Sequence, residues 1–297
     1  MKMMKRFTTA LIVAIASFAM LSAQTSYPPY YKLTASAMSV DQAMKKVAKL
    51  LTEKGFEVIG AYRPEGKSTL GVVAFTRDDL RNTVIPLRKR GIHAAVLRAG
   101  FVSKGGKTTI SFTNPDYFNY AYLQDDAAKA RNLRSISSQV KSVFRSLGSL
   151  RGFGGSLTAS KLKKYRYMVG MEGFRNPVEL QSFSSFKTGV AKIQADLKRK
   201  ENNCQLIYSI IDEKNKVAIF GVGLMDREKG EPHFLPIIGE DHVAALPYEI
   251  VLQNKDATML HGRFRIALHW PELTMGTFSK IMSTPGAIKD FLKALTE

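Results

Sequence analysis

Apolar positions along the chain fall into two series with the same order. In the first, Val40, Ala43, Met44, Val47, Leu50 and Leu51 recur at helical spacing, with Ser39 and Gln42 placed for a capping box and Gly55 for the stop. Two runs rich in β-branched and aromatic residues follow, Phe56 to Tyr62 and Thr69 to Thr76, and predict strands. After a polar excursion, His93-Ala94-Ala95-Val96-Leu97 opens a hairpin that turns at Gly105-Gly106 and returns through Thr108, Ile110 and Phe112. The second series repeats the plan: Phe186, Val190, Ile193 and Leu197 on one helix face, then strands Cys204 to Ile211 and Val217 to Leu224. There His242-Val243-Ala244-Ala245-Leu246 opens a hairpin that turns near Asn254-Lys255-Asp256 and is expected to return as a strand through His261 to Leu268. Both returns end near a proline, Pro115 or Pro271, suited to the first turn of a helix. The pattern predicts an α+β protein made of two repeated helix and antiparallel-sheet units, 39–126 and 185–297, preceded by an extension over 24–38 and joined by a basic connector over 127–184.

The connector carries Lys129, Arg131, Arg134, Lys141, Arg145, Arg151, Lys161, Lys163, Lys164 and Arg166, and no acidic residue from Ala127 to Met171. Its first part predicts a helix with Leu133, Ile136, Val140, Val143, Phe144 and Leu147 as the apolar stripe, and Gly152-Phe153-Gly154-Gly155 predicts a flexible break. A basic face of this kind is either solvated or a contact to an anionic surface, for which Lys161, Lys163, Lys164 and Arg166 are the candidates.

Charge and compartment change the picture further. The formal net charge is +19, an excess that draws a protein toward anionic partners. Lys2, Lys5 and Arg6 precede an apolar run from Phe7 to Leu21 and the small residues Ser22 and Ala23, the plan of a cleavable export signal over 1–23. The expected location is therefore the periplasm or the medium, with no transmembrane segment left after cleavage. The single cysteine, Cys204, excludes an internal disulfide and sits in a strand pattern, as a buried thiol would.

Three stretches resemble a known family. Gly55-Phe56-Glu57-Val58-Ile59-Gly60-Ala61-Tyr62 through Tyr117-Phe118-Asn119-Tyr120-Ala121-Tyr122-Leu123 is similar to the bacterial family catalogued as domain of unknown function 302. Ala244-Ala245-Leu246-Pro247-Tyr248-Glu249-Ile250 resembles a divergent second copy, and Lys164-Tyr165-Arg166-Tyr167-Met168-Val169-Gly170-Met171 a connecting motif. The resemblance implies an α+β fold with an antiparallel sheet and packed helices; it implies no activity and no catalytic residue.

Catalytic spacings are absent: no Gly-x-Ser-x-Gly, no His-Glu-x-x-His and no Walker sequence occurs. The candidate constellation lies in the second unit, where strand alternation would put His261, Arg263, Arg265 and His269 on one face and Phe264, Ile266, Leu268 and Trp270 on the other, with Glu249 pairing Arg263 or Arg265 across the hairpin. Paired arginines suit a carboxylate or phosphate. His233, Glu240 and His242, in the charged loop Arg227 to Asp241, offer an alternative metal site without a diagnostic spacing. Tyr165 and Tyr167 among lysines suit base stacking, yet an exported protein seldom meets nucleic acid, and the tyrosines after Pro115 suit helix packing. The expected function is non-catalytic binding of an anionic small molecule or an envelope surface, without cofactor or specific nucleic acid, a second copy of the chain being a further candidate partner. The alternative is a metal-dependent or hydrolase-like enzyme using the second unit's histidines.

Overall fold

A computed structural model describes residues 25–128 and 131–297, so the expected export signal and Lys129 lie outside the described residues. Short strands β1 (Ser26–Tyr27) and β2 (Tyr30–Leu33) lead to α1 (Val40–Glu53). There the Ser39 side chain accepts from Gln42 N while Gln42 accepts from Ser39 N, and Val40, Ala43, Val47 and Leu51 are buried. Gly55, at φ +77°, reverses the chain into β3 (Glu57–Tyr62) and β4 (Leu70–Thr76). Helix α2 (Asp78–Val84) and a 3₁₀ turn (Arg88–Ala94) precede the hairpin of β5 (Leu97–Lys104) and β6 (Lys107–Thr113), and α3 (Pro115–Leu123) follows with Asn114 as its cap.

The middle of the chain holds α4 (Arg131–Arg145), β7 (Leu150–Phe153), β8 (Leu157–Thr158), α5 (Ala159–Lys163) and β9 (Val178–Ser182). On α4 the predicted stripe of Leu133, Ile136, Val140, Val143 and Phe144 is buried. This stretch is more than a connector, because β7 completes one sheet and β9 the other. The rest runs α6 (Phe186–Arg199), β10 (Cys204–Asp212), β11 (Val217–Leu224), α7 (Glu231–Ile238), a 3₁₀ turn (Glu240–Ala245), β12 (Tyr248–Gln253), β13 (Asp256–Met259), α8 (Gly262–His269), α9 (Met275–Ser279) and α10 (Thr284–Ala294).

The architecture is α+β, with two large antiparallel sheets of six and five strands in the orders β3-β4-β5-β6-β2-β7 and β10-β11-β12-β13-β9, and a two-stranded antiparallel ladder of β1 and β8. Register slips between Val58 and Gly60 in the β3/β4 pair, and between Leu206 and Tyr208 in the β10/β11 pair. Past the slips, Gly60 faces Ala74 and Ala74 faces Arg98, while Tyr208 faces Gly221 and Gly221 faces Glu249. Arg98 and Glu249 therefore hold the same register position in their sheets. The two sheets meet at Gly60, where a Cβ would lie 2.2 Å from Ile207 O, and Gly100 of β5 packs against the 3₁₀ turn Glu240–Ala245, where a Cβ would lie 2.6 Å from Ala244 N. Only glycine permits such an approach.

Four expectations about the elements require correction. The second hairpin returns through β13 and ends at Met259, and the stretch from Gly262 to His269 is helix α8. Its alternation of Phe264, Ile266 and Leu268 imitates a strand because the helix is enclosed: Gly262, Phe264, Arg265, Ile266, Leu268 and His269 are all buried, which erases the polar face by which periodicity identifies a helix. Pro271 lies in a turn after α8, whereas Pro115 does open a helix. The charged loop Arg227 to Asp241 folds largely into α7. His93 and His242 fall within 3₁₀ turns ahead of their strands.

Candidate functional site

Polar chemistry gathers in two places, a sealed network between the sheets and an open cavity beside α8. In the network Arg98 of β5 forms an ion pair with Glu249 of β12. Tyr208 donates to Glu249 Oε1 at 2.6 Å and accepts from Arg98 Nη2 at 3.0 Å, and His93 Nδ1 lies 3.0 Å from Glu249 Oε2. Burial alone would raise the Glu249 carboxyl; the Arg98 charge, with His93 and Tyr208, overrides it and holds the group at about 2. This corrects the expected partner of Glu249: β12 aims it at Arg98 of the other sheet, since α8 carries Arg263 and Arg265 where a paired strand was expected.

Arg265 and His269, one helical turn apart on α8, are spent internally. Arg265 Nη2 donates to Ala245 O at 2.6 Å and Pro247 O at 2.8 Å, and its guanidinium stacks 3.8 Å from the Tyr248 ring. His269 lies between two hydroxyls, with Nδ1 2.7 Å from Tyr30 Oη and Nε2 3.2 Å from Tyr122 Oη. Burial, then the Arg265 and Arg98 charges, hold its imidazole well below the ordinary range, so one tyrosine donates and the other accepts. The space among His93, Tyr248, Glu249 and Arg265 is too narrow to take a water-sized group.

The metal alternatives lie apart. His233 of α7 borders a cavity with Glu228 and Asp290, Glu240 pairs with Lys67 at 3.2 Å, and His242 packs 4.6 Å from Phe153 and 5.7 Å from Trp270, burial lowering its imidazole to about 4. Among the described residues no group of three His, Cys, Asp or Glu side chains is placed to hold a metal ion. His261 lies 3.4 Å from Glu172, and burial lowers its imidazole. Burial pushes the Cys204 thiol up to about 12.

The open cavity has a volume of about 340 Å³, within the range of small-molecule sites. Trp270, Tyr165, Ile266 and Phe278 line it together with Met168, Met171 and Met275, and the charged groups on its wall are Arg166 and Arg263. The loop after α5 supplies one side, turned by Gly170 at φ +80°; the outer face of α8 and the start of α9 supply the other. Tyr165 stacks edge-on against Phe264 at 5.7 Å and ties the loop to α8. Of the expected binding residues this site gathers Arg263 and Arg166; Lys161 and Lys163 sit on α5 just before it, Lys164 follows, and Lys163 lies 3.5 Å from Asp125.

Sequence reasoning missed both the network and the cavity as units. Signals were present: a lone arginine inside Val96-Leu97-Arg98-Ala99-Gly100-Phe101-Val102, a lone glutamate inside Tyr248-Glu249-Ile250-Val251-Leu252, and an apolar Met168-Val169 pair among cations.

No family model matches the chain, and no curated protein matches it. Among solved structures it is similar to an uncharacterized conserved protein, DUF302, from Bacillus stearothermophilus, at 11% identity and a TM-score of 0.34, over 39% of this chain and 96% of that one. At that level the likeness carries no argument about function.

Proposed function

We propose that the chain is an exported, non-catalytic binding protein that holds an anionic amphiphile in the cavity between the Tyr165–Met171 loop and α8. One observation carries the reading: an apolar cavity walled by aromatic and methionine side chains has two arginines on its wall and no carboxylate, so it favours a ligand with an apolar body and an anionic head. The polar groups of the lining are the two guanidinium groups and the hydroxyls of Tyr165 and Tyr167, all able to donate to an anionic head. The basic balance of the chain suits an anionic ligand or surface outside the cell. The second part of the proposal is that the protein consists of two tandem copies of one unit. It is supported by the order helix, two strands, helix, 3₁₀ turn, two strands, helix, which runs from α1 to α3 and again from α6 to α8, with a register slip in the first strand pair of each.

The test uses Trp270, the only tryptophan and part of the cavity wall. Decanoate is expected to change its emission saturably, and decanol, of equal chain length but uncharged, to bind about tenfold or more weakly, as the loss of one charge-assisted hydrogen bond implies. Arg166→Ala/Arg263→Ala should abolish that preference. Equal affinity for decanoate and decanol, or no response to either, overturns the proposal.

A further inference from the structure

The mouth of the cavity differs from the rest of the surface in a second respect. Among the described residues six large hydrophobic side chains are exposed, and three belong here: Val169 at 93%, Met275 at 67% and Met168 at 47%. Met168 and Met275 border the cavity from its two sides, and Val169 sits between Met168 and the Gly170 turn. Apolar side chains scattered singly are ordinary on a protein surface, whereas several around one opening mark an interaction site.

The charge around them is predominantly positive. Lys161, Lys163, Lys164 and Arg166 fall within residues 159–171, which include no acidic residue, and Arg263 is on the wall, while the acidic neighbours are Glu172, which accepts from Tyr167, and Glu272 between Pro271 and Leu273. Apolar tips inside a cationic collar match an anionic bilayer: methionine and valine enter the acyl boundary while lysine and arginine meet the headgroups. No helix of the described residues is long and apolar enough to cross a membrane.

We infer that the cavity rim formed by Met168, Val169 and Met275 with Lys161, Lys164 and Arg166 is a docking surface for an anionic lipid bilayer. Docking sets the cavity mouth against a source of amphiphiles, a consequence that rests on the binding function proposed above.

Sedimentation of the full chain, as purified from an exporting host, with phosphatidylglycerol/phosphatidylcholine vesicles and with pure phosphatidylcholine vesicles tests this. The expected result is clear preference for the anionic vesicles, which Val169→Ser/Lys161→Glu/Lys164→Glu lowers by about tenfold or more, each lost cation alone being worth about fivefold. These three residues lie outside the cavity wall, so the triple variant should keep the wild-type response of Trp270 to decanoate. Arg263→Ala is expected to do the reverse, weakening decanoate and sparing most vesicle binding. Equal binding of wild type to both vesicles, or undiminished binding by the triple variant, overturns the docking surface. A docking surface that behaves as expected in a protein whose Trp270 ignores decanoate would uphold this inference and remove the cavity ligand alone.

Discussion

Replacing Arg98 with methionine tests the network that joins the two sheets. Arg98 is 3% exposed and Glu249 7%, so the substitution leaves a carboxylate inside the protein with only His93 and Tyr208 as partners. Breaking a buried pair from one side costs about 3–5 kcal/mol, a large part of the roughly 5–15 kcal/mol that holds a domain together. Arg98→Met/Glu249→Leu removes both charges and should recover most of that loss. The pH dependence supplies an independent reading. Glu249 sits at about 2, against an ordinary value of 4.5, a depression worth on the order of 3 kcal/mol. A depressed carboxyl stabilises above its unfolded value, and that contribution fades as pH falls from 4.5 toward 2. Without Arg98, burial is no longer outweighed and the carboxyl rises above its ordinary value; the sign then reverses, and the variant regains stability as pH falls from about 7 to about 5. Urea unfolding followed by far-ultraviolet circular dichroism and by Trp270 emission at both pH values measures each part. A deficit below about 1 kcal/mol near pH 7, or the same deficit at both pH values, refutes the reasoning.

Other consequences are as direct. Glu231 of α7 is fully buried, accepting from Tyr62 Oη at 3.1 Å and Leu224 N at 3.2 Å, and burial pushes its carboxyl up to about 8. A raised folded value stabilises below the unfolded one and is lost as pH rises from 4.5 through about 8, so Glu231→Gln should flatten that decline in urea midpoints by about one proton. Gly60→Ala places a methyl group 2.2 Å from Ile207 O, a backbone atom that cannot swing away, and should lower stability by about 2–4 kcal/mol in the same assay. Cys204, buried and with its thiol raised to about 12, should react with a thiol reagent at neutral pH only as the protein unfolds.

The elements legible in the sequence were those whose faces differ. α1 showed because its buried Val40, Ala43, Val47 and Leu51 alternate with solvated lysines and its cap is local, and β4 and β11 showed because strands buried along their length read as continuous apolar runs. α8 was misread for the opposite reason: with neighbours on nearly every side it has no polar face, and Arg265 and His269 look like surface residues until their partners Ala245, Pro247, Tyr30 and Tyr122 are in place. Those partners lie far along the chain, His269 and Tyr30 being 239 positions apart, and spacing reveals nothing at that range. The same holds for the cavity, assembled from 157–171 and 263–278. Arg263 was singled out for a strand face it does not occupy, and it reaches the cavity from a helix.

The cavity walled by Trp270, Arg166 and Arg263 is the proposed seat of an anionic amphiphile. Native mass spectrometry of the protein purified from an exporting host, set against its denatured mass and repeated after incubation with decanoate, tests it most directly. One bound mass per chain is expected, present on purification or acquired from decanoate, and absent from Arg166→Ala/Arg263→Ala. A wild-type protein that stays at its bare chain mass under both conditions, or a variant that retains the added mass, contradicts it.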